Sequence, residues 1–468
     1  MQTKEDSKKY FEILASYRSD WKKKNRFYHR LLEKYFSFFI PAGNKVIEMG
    51  CGTGELLFNV HPSYGLGIDY SEKMIDIASK NFPGLTFKIN DAENLTIDEK
   101  FDYVIVSDLL TSLWDVQKAF AGLKKVCNKN TRVVISTYNA MWEPILKFAG
   151  FLGLKSKQPV QNWLTISDVK NLLQIEGFEI IKKEHKILLP KNIPLLSFLF
   201  NKILANLPLI NRLCLVHFII ARPVLPDAHQ YSVSILIPAR NEKGNIENAI
   251  LRTPSFGKSL EFIFVEGNSK DDTWEEILRV KEKYTDRNIV ALKQSGKGKG
   301  NAVREGFELA TGDILMILDA DLTTPPEELP KFYDALATNK GEFINGCRLV
   351  YPMEKQAMRF LNLLGNLFFG AFLSFILGQR LKDTLCGTKV LFKRDYEIIK
   401  KNRSYFGDFD PFGDFDLLFG AAKLNLKIVE ILVRYKDRQY GTTQISRFKH
   451  GIILLKMSFF ATKKIKFI

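Results

Sequence analysis

The sequence predicts two consecutive α/β units, each built on a largely parallel sheet with crossover helices. Two hydrophobic strands, each followed by a polar loop and a helix-like stretch, open separate segments at Lys45-Val46-Ile47-Glu48 and Val233-Ser234-Ile235-Leu236-Ile237-Pro238. Behind each of them, short apolar runs alternate with helical patterns, as a parallel sheet requires. Between them, Ala221-Arg222-Pro223-Val224-Leu225-Pro226-Asp227 carries two prolines in four residues and reads as a linker. The expected boundary is near residue 226. It separates a unit over 1–226, with a core at about 40–222, from one over 227–468. The opening loops carry different chemistry, so the chain reads as a fusion and not a duplication.

Composition bounds the possibilities. Hydrophobic residues are 46% and charged residues 26% of 468, which excludes a disordered, collagen-like or disulfide-scaffold chain. Lys plus Arg number 68 against 52 for Asp plus Glu, a net charge of +16. That excess favours an anionic partner: phosphorylated substrates, an anionic membrane surface or nucleic acid. Basic charge is the sole support for nucleic acid, which ranks last. The five cysteines (Cys51, Cys127, Cys214, Cys347 and Cys386) are scattered, so they read as reduced thiols and not as bridges or a zinc site. Those reduced thiols suggest a cytoplasmic location, and the polar residues over Met1–Lys9 predict no secretory signal.

In the first unit, Lys22 to Arg30 mixes basic and aromatic residues and is read as a helix with a solvated basic face. The next stretch, Val46-Ile47-Glu48-Met49-Gly50-Cys51-Gly52-Thr53-Gly54-Glu55, sets three glycines between a strand and a helix. Glycines allow a tight turn and a close ligand approach. Gly65-Leu66-Gly67-Ile68-Asp69 ends the following strand with a carboxylate 19 residues after Gly50, placed for a ribose diol. A dinucleotide enzyme shares these features but carries its third glycine further along.

This order of motifs resembles the class I S-adenosylmethionine-dependent methyltransferases over about residues 46–132. The resemblance implies a Rossmann-like domain with S-adenosylmethionine as cofactor. Glu48, Gly50, Gly52 and Gly54 would line its methionine portion, and Asp69 would take the ribose hydroxyls. Asp91 and Ala92, in Asn90-Asp91-Ala92-Glu93, would meet the adenine. The strand Phe101-Asp102-Tyr103-Val104-Ile105-Val106-Ser107 would bring Ser107 toward the transferred methyl, with Asp102 a surface cap. Methyl transfer needs in-line positioning, and a base only where the acceptor loses a proton. Tyr28, His29, Asp108 and Tyr138 are candidates there, each with a structural reading that comes first.

In the second unit, Ile237-Pro238-Ala239-Arg240-Asn241-Glu242 closes a buried strand with a polar turn. A second buried strand, Phe262 to Glu266, runs into the acidic cluster Gly267-Asn268-Ser269-Lys270-Asp271-Asp272. A third delivers Asp319-Ala320-Asp321 from Ile314-Leu315-Met316-Ile317-Leu318. Carboxylates at i and i+2 on a strand end suit Mg²⁺ or Mn²⁺ bridging a diphosphate. Phe412-Gly413-Asp414-Phe415-Asp416 adds two carboxylates before an apolar helix, where helix capping is the rival reading.

Together these stretches resemble a family 2 glycosyltransferase of the GT-A fold over about residues 231–456, most similar to dolichyl- or polyprenyl-phosphate sugar synthases. The resemblance implies that Pro238, Arg240, Glu242, Glu266 and Asn268 bind the nucleoside. Asp319, Ala320 and Asp321 would serve the diphosphate and a metal, with Thr323 on the metal side and Asp321 and Asp414 catalytic. Arg348 and Arg438 would grip phosphates, with Lys297 and Lys299 as further candidates. Two departures stand out: Glu266-Gly267 replaces the usual acidic pair, and Gln444 replaces a lysine often found after the Arg438-Gln439-Tyr440-Gly441 stretch. No Gln-x-x-Arg-Trp occurs, which argues against processive chain elongation. A polyprenyl monophosphate acceptor is already largely ionised, so Asp414 would position it; for a glycan hydroxyl, Asp414 would be the general base.

Two segments of this unit are expected to lie in a membrane interface, near 360–379 and 449–468. In the first, Asn362, Asn366, Gly370, Ser374 and Gly378 recur every four residues as a small and polar stripe. In the second, apolar pairs alternate with lysines. The expected function is sugar transfer from a nucleotide-diphosphate sugar to a polyprenyl phosphate at the inner membrane face, with methylation of a related glycan or lipid. The rival is a transferase acting on a cell-surface glycan, its first unit a non-catalytic binding module.

Overall fold

The computed structural model describes residues 4–153, 162–225, 229–349, 360–405, 413, 415–438, 440–441 and 447–467. Backbone contacts divide the chain into two compact units, Met1–Leu225 and Pro226–Lys466.

The first unit holds a seven-stranded sheet: β1 (Lys45–Met49), β2 (Tyr64–Asp69), β3 (Thr86–Ile89), β4 (Phe101–Ser107), β5 (Cys127–Tyr138), β6 (Phe178–Lys186) and β7 (Val216–Pro223). Its order is β3-β2-β1-β4-β5-β7-β6. Strands β1 to β5 run parallel, while β7 lies antiparallel to both neighbours. The order reverses between β1 and β4, and ligands of open α/β sheets bind at the carboxyl ends beside such a reversal. Ile47, Met49, Leu66, Ile68, Val104 and Val106 bury one sheet face. The helix Val116–Leu123 covers it with Val116, Ala119, Phe120 and Leu123, spaced for one helical face. Asp115 starts that helix by accepting from Lys118 N, as an N-cap carboxylate should.

Three helices precede the sheet: Lys4–Ala15, Arg18–Lys24 and Arg26–Phe39. The last buries Tyr28, Leu32, Tyr35, Phe36 and Phe39. Lys23, Lys24, Arg26 and Arg30 are solvated as expected, but Lys22 turns inward and pairs with Glu55 at 2.6 Å. Asp102 accepts from Lys45 N at 2.9 Å on the surface.

The second sheet contains β8 (Ser232–Ala239), β9 (Ser259–Glu266), β10 (Asn288–Lys293), β11 (Ile314–Ile317), β12 (Phe343–Cys347), β13 (Lys389–Phe392) and β14 (Ile428–Leu432). Its order is β10-β9-β8-β11-β13-β12-β14, with β13 antiparallel to β11 and β12. Alternation in β8 sends Val233, Ile235 and Ile237 to one core and Leu236 to the other. Both sheets are therefore mixed where the apolar runs suggest parallel strands, because side-chain period fixes faces and leaves direction open.

In the helix Phe360–Leu377, the stripe positions Asn366, Gly370 and Ser374 face their own unit. Asn366 is buried, and a Cβ on Gly370 would sit 2.5 Å from the Lys382 carbonyl. Ser374 Oγ reaches the Gly370 and Leu381 carbonyls and accepts from Leu381 N at 2.8 Å. Leu364, Leu367 and Phe368 are exposed. The helix Arg447–Ala461 buries Leu454, Met457 and Ala461 and exposes Ile452, Leu455 and Phe459. Among the described residues, no helix is long and apolar enough to cross a membrane.

Candidate functional site

Each unit gathers polar side chains at the carboxyl ends of its central strands. In the first unit they line a cavity of about 400 Å³. Gly50 and Gly52 follow β1 with φ of 69° and 53°, the left-handed region that favours glycine. A Cβ on Gly50 would lie 2.7 Å from Leu109 Cδ1, and one on Gly52 2.7 Å from Arg18 Nη2. Gly54 also has positive φ and precedes the helix Glu55–Asn59. Asp69, at the end of β2, accepts from Gly52 N at 2.9 Å and Ser71 N at 3.0 Å, so it ties the glycine loop to the neighbouring strand.

Glu48 is buried, and its Oε2 has no hydrogen-bond partner among the described residues. Burial pushes its carboxyl up to about 8, with Lys22 and Arg18 pulling the other way. Arg18 and Gly50 line the cavity while Glu48 lies behind its wall, and Arg18 Nε is likewise without a partner among the described residues. A buried acid and a cation beside a glycine cradle fit a small zwitterionic ligand such as the amino-acid portion of S-adenosylmethionine, because unpaired buried polar atoms are costly. Asp91 accepts from Lys4 Nζ at 2.7 Å and Glu93 N at 3.0 Å. Burial opposes its charge, but these donors outweigh it and hold its carboxyl below the usual range. Ala92 is buried beside it, and Ser107 lines the cavity at the end of β4.

Past β4, Asp108 adopts φ 52° and accepts from Tyr28 Oη at 2.7 Å and Ser136 Oγ at 2.8 Å. Tyr28 and Tyr138 stack at 6.3 Å between ring centroids. Burial, reinforced by Asp108, raises both phenols, which stay protonated as donors. Burial, then Lys22 and Arg18, lower His29 to about 3, so its imidazole is neutral and feebly basic at pH 7. This end of the cavity offers aromatic walls and fixed donors. The sequence reading missed Arg18, although its i, i+4 spacing with Lys22 puts both on one helix face.

In the second unit, Arg438 joins three distant segments. Its Nη1 donates to Glu242 after β8 and its Nη2 to Asp321 after β11, each at 2.6 Å. Asn245 Nδ2 also donates to Glu242, at 2.7 Å. Asp319 pairs with Lys299 at 2.7 Å. Burial opposes its charge, yet Lys299, Arg348 and Lys389 hold its carboxyl below the usual range. Ala320 is buried between the two carboxylates. The Thr323 hydroxyl donates to Asp321 Oδ1 at 2.8 Å, so it braces that carboxylate.

Arg348 makes a bidentate pair with fully buried Asp383 at 2.7 and 2.8 Å and lies over the Tyr435 ring. Pro238 and exposed Arg240 flank the end of β8. Ala239 pairs in register with Glu266 on β9, so these strand ends are adjacent. Glu266 accepts from Ser269 N at 2.5 Å, and Asn268 holds φ 56°. Lys297 is exposed. Asp414, Gln439 and Gln444 lie outside the described residues. Among the described residues, no group of three or more acidic, histidine or cysteine side chains is placed to hold a metal. Asp319 and Asp321, two carboxylates at i and i+2 behind β11, would suit an ion such as Mg²⁺ that takes one or two carboxylates and completes its shell with phosphate and water oxygens.

Residues 40–179 match the methyltransferase domain family and residues 234–398 match glycosyl transferase family 2. The chain carries both transferase domains. The Rossmann-like methyltransferase sheet and the GT-A sheet occupy the first and second units. A dolichol-phosphate mannosyltransferase of Pyrococcus furiosus is 37% identical over 120 residues, which cover 25% of this chain and 33% of that protein. An undecaprenyl-phosphate 4-deoxy-4-formamido-L-arabinose transferase of Enterobacter is 32% identical over 119 residues, 23% of this chain and 36% of that protein. The chain thus spans about a third of the length of these curated relatives. A solved SAM-dependent methyltransferase of Thermotoga maritima is 17% identical, covering 46% of this chain and 97% of that one with a TM-score of 0.36.

Proposed function

We propose that the second unit transfers a sugar, with inversion, from a nucleotide-diphosphate sugar to a polyprenyl phosphate. The convergence of Glu242, Asp319, Asp321 and Arg438 at neighbouring strand ends carries this reading. Two carboxylates braced by cations suit a diphosphate with Mg²⁺ or Mn²⁺, which would supply charge neutralisation of the leaving group. Asp319 and Asp321 would hold that ion, and Arg438 and Lys299, released from them, would turn to phosphate oxygens. The acceptor phosphate is an ionised nucleophile and needs positioning with cationic neighbours, the part assigned to Arg438 and Asp414. Pro238, Arg240, Glu266 and Asn268 would bind the nucleoside. Membrane attachment would use the exposed faces of the helices Phe360–Leu377 and Arg447–Ala461, at the inner face of the cytoplasmic membrane.

The first unit is proposed to methylate a related glycan or lipid. Glu48, Gly50, Gly52, Gly54, Asp69, Asp91, Ala92 and Ser107 would hold S-adenosylmethionine, which supplies an activated methyl group. The Tyr28–Asp108–Tyr138 cluster then orients the acceptor. Mass spectrometry of products made from labelled nucleotide sugars and labelled methyl donor tests both readings. Sugar on extracted lipid phosphate, and none on oligosaccharide, is expected. Sugar on oligosaccharide alone would replace the lipid acceptor with a glycan.

A further inference from the structure

The first unit exposes an apolar surface that its own packing leaves uncovered. Met141, Ile145, Phe148 and Phe151 project from a 3₁₀ turn and the helix Glu143–Phe151, with Phe151 75% exposed. A second segment, 193–213, presents Leu195 at 87% and Leu209 at 72% exposure. Both leucines hold positive φ, 62° and 69°. Leucine in that region is disfavoured, and here it places two of the most apolar side chains in solvent.

The second segment is a built structure. Buried Asn201 accepts from Leu188 N and Leu189 N at 2.8 and 2.9 Å, and Ser197 Oγ donates to the Lys191 carbonyl at 2.8 Å. The two segments join where Trp142 Nε1 donates to the Leu213 carbonyl at 2.8 Å, and Asn139 Nδ2 to those of Arg212 and Cys214 at 2.9 Å. Ile145, Leu146 and Ala149 from one side, and Pro190, Lys191 and Leu215 from the other, also form part of the cavity wall. Lys34, Lys191, Lys202 and Arg212 lie on or beside this surface without an acidic partner among the described residues.

We infer that 141–152 and 193–213 form a docking face of the first unit for an anionic bilayer surface, from which its cavity takes a lipid-borne methyl acceptor. Exposed Leu and Phe with flanking Lys and Arg that no acidic side chain neutralises among the described residues is the composition that enters the headgroup boundary of anionic lipid. The leucines at the two turns enter first, and the cations meet the lipid phosphates. This extends the membrane reading of the second unit to a separate surface and is independent of the sugar-transfer chemistry.

The five native cysteines are buried and free, so Leu209→Cys or Leu195→Cys in the full chain can carry an environment-sensitive nitrobenzoxadiazole probe. Vesicles of phosphatidylcholine with phosphatidylglycerol should raise its emission about threefold, with loss on adding a bilayer-embedded quencher. A probe at Lys80→Cys, on the solvated side of the helix Glu72–Asn81, should not respond. The pair Leu195→Asn and Leu209→Asn keeps residues that tolerate positive φ and should weaken vesicle binding about tenfold, with methyl-donor binding unchanged. Three outcomes overturn the inference. The chain floats with anionic vesicles while both probes stay silent; the chain does not bind the vesicles at all; or the probes respond to protein concentration without lipid, which would make the face a contact between copies. Sugar transfer to detergent-dispersed lipid phosphate, measured in parallel, reports separately on the second unit.

Discussion

Arg438 donates from Nη2 to Asp321 Oδ2 at 2.6 Å, which places a fixed cation on the carboxylate proposed to hold the divalent ion. Two cations cannot share one carboxylate edge at that distance without strong repulsion. With a divalent ion on that edge, Arg438 would move off Asp321, and Glu242, also at 2.6 Å, would keep the guanidinium within the site. Arg438→Gln should therefore tighten Mn²⁺ binding without nucleotide, while lowering sugar-transfer kcat by about 100-fold through loss of a phosphate contact. Mn²⁺ titration followed by electron paramagnetic resonance checks the first half. Unchanged or weaker metal binding would show that the pair does not gate the site.

Gly387 sets a second condition on the same carboxylates. A Cβ there would lie 2.0 Å from Asp319 Oδ2, closer than any real contact allows. Gly387→Ala should turn Asp319 off its present rotamer and away from Lys299. The expected result is a loss of at least about 100-fold in sugar transfer, with methyl-donor binding in the first unit retained. Calorimetry with S-adenosylmethionine on the same preparation separates a local effect from misfolding.

What was legible in the chain was local. The glycine run after Glu48, the carboxylate ending β2 and Asp319-Ala320-Asp321 behind an apolar strand each sit within a few residues of the element that aims them. Alternation in β8 and the helix-face spacing of Val116, Ala119, Phe120 and Leu123 likewise carried the faces. Strand direction did not emerge, since β7 and β13 bear the same apolar pattern either way. Arg18 and Lys22 went unread as cavity residues because amphipathic spacing gives a face without saying what lies opposite. The contacts Arg348–Asp383 and Gly387–Asp319 join segments 35 and 68 positions apart, which no local spacing encodes. The stripe through Asn366, Gly370 and Ser374 identified a side able to meet water or protein, and packing chose protein.

Asp69 links the glycine loop to β2 through Gly52 N at 2.9 Å, so its loss removes a loop anchor together with the carboxylate proposed for the ribose diol. Asp69→Ala should weaken S-adenosylmethionine binding by about 1.5–3 kcal/mol for the charge-assisted bond alone, roughly 10–150-fold. Sugar transfer should continue, because its proposed residues belong to the other unit. Equal loss of both activities in a folded variant would contradict independent sites.

In its proposed place beside the methyl donor, Glu48 would make binding depend on pH with a definite sign. Burial raises its carboxyl to about 8 in the folded chain, against about 4.3 for an unfolded glutamate. Between these values the folded state keeps a proton that the unfolded state has lost. Its contribution to stability is fully present below about pH 4 and is lost as pH rises through about 8. A ligand bringing an ammonium or sulfonium beside Glu48 favours the carboxylate and expels that proton. S-adenosylmethionine binding at pH 7 should therefore release a proton, seen as a binding enthalpy that differs between phosphate and Tris buffers. The release should vanish at pH 9, where Glu48 is already ionised, and in Glu48→Gln at either pH. Denaturant titrations should also show the parent losing stability relative to Glu48→Gln between pH 5 and 8. Proton uptake, or buffer-independent heat at pH 7 with binding intact, would remove Glu48 from the methyl-donor site.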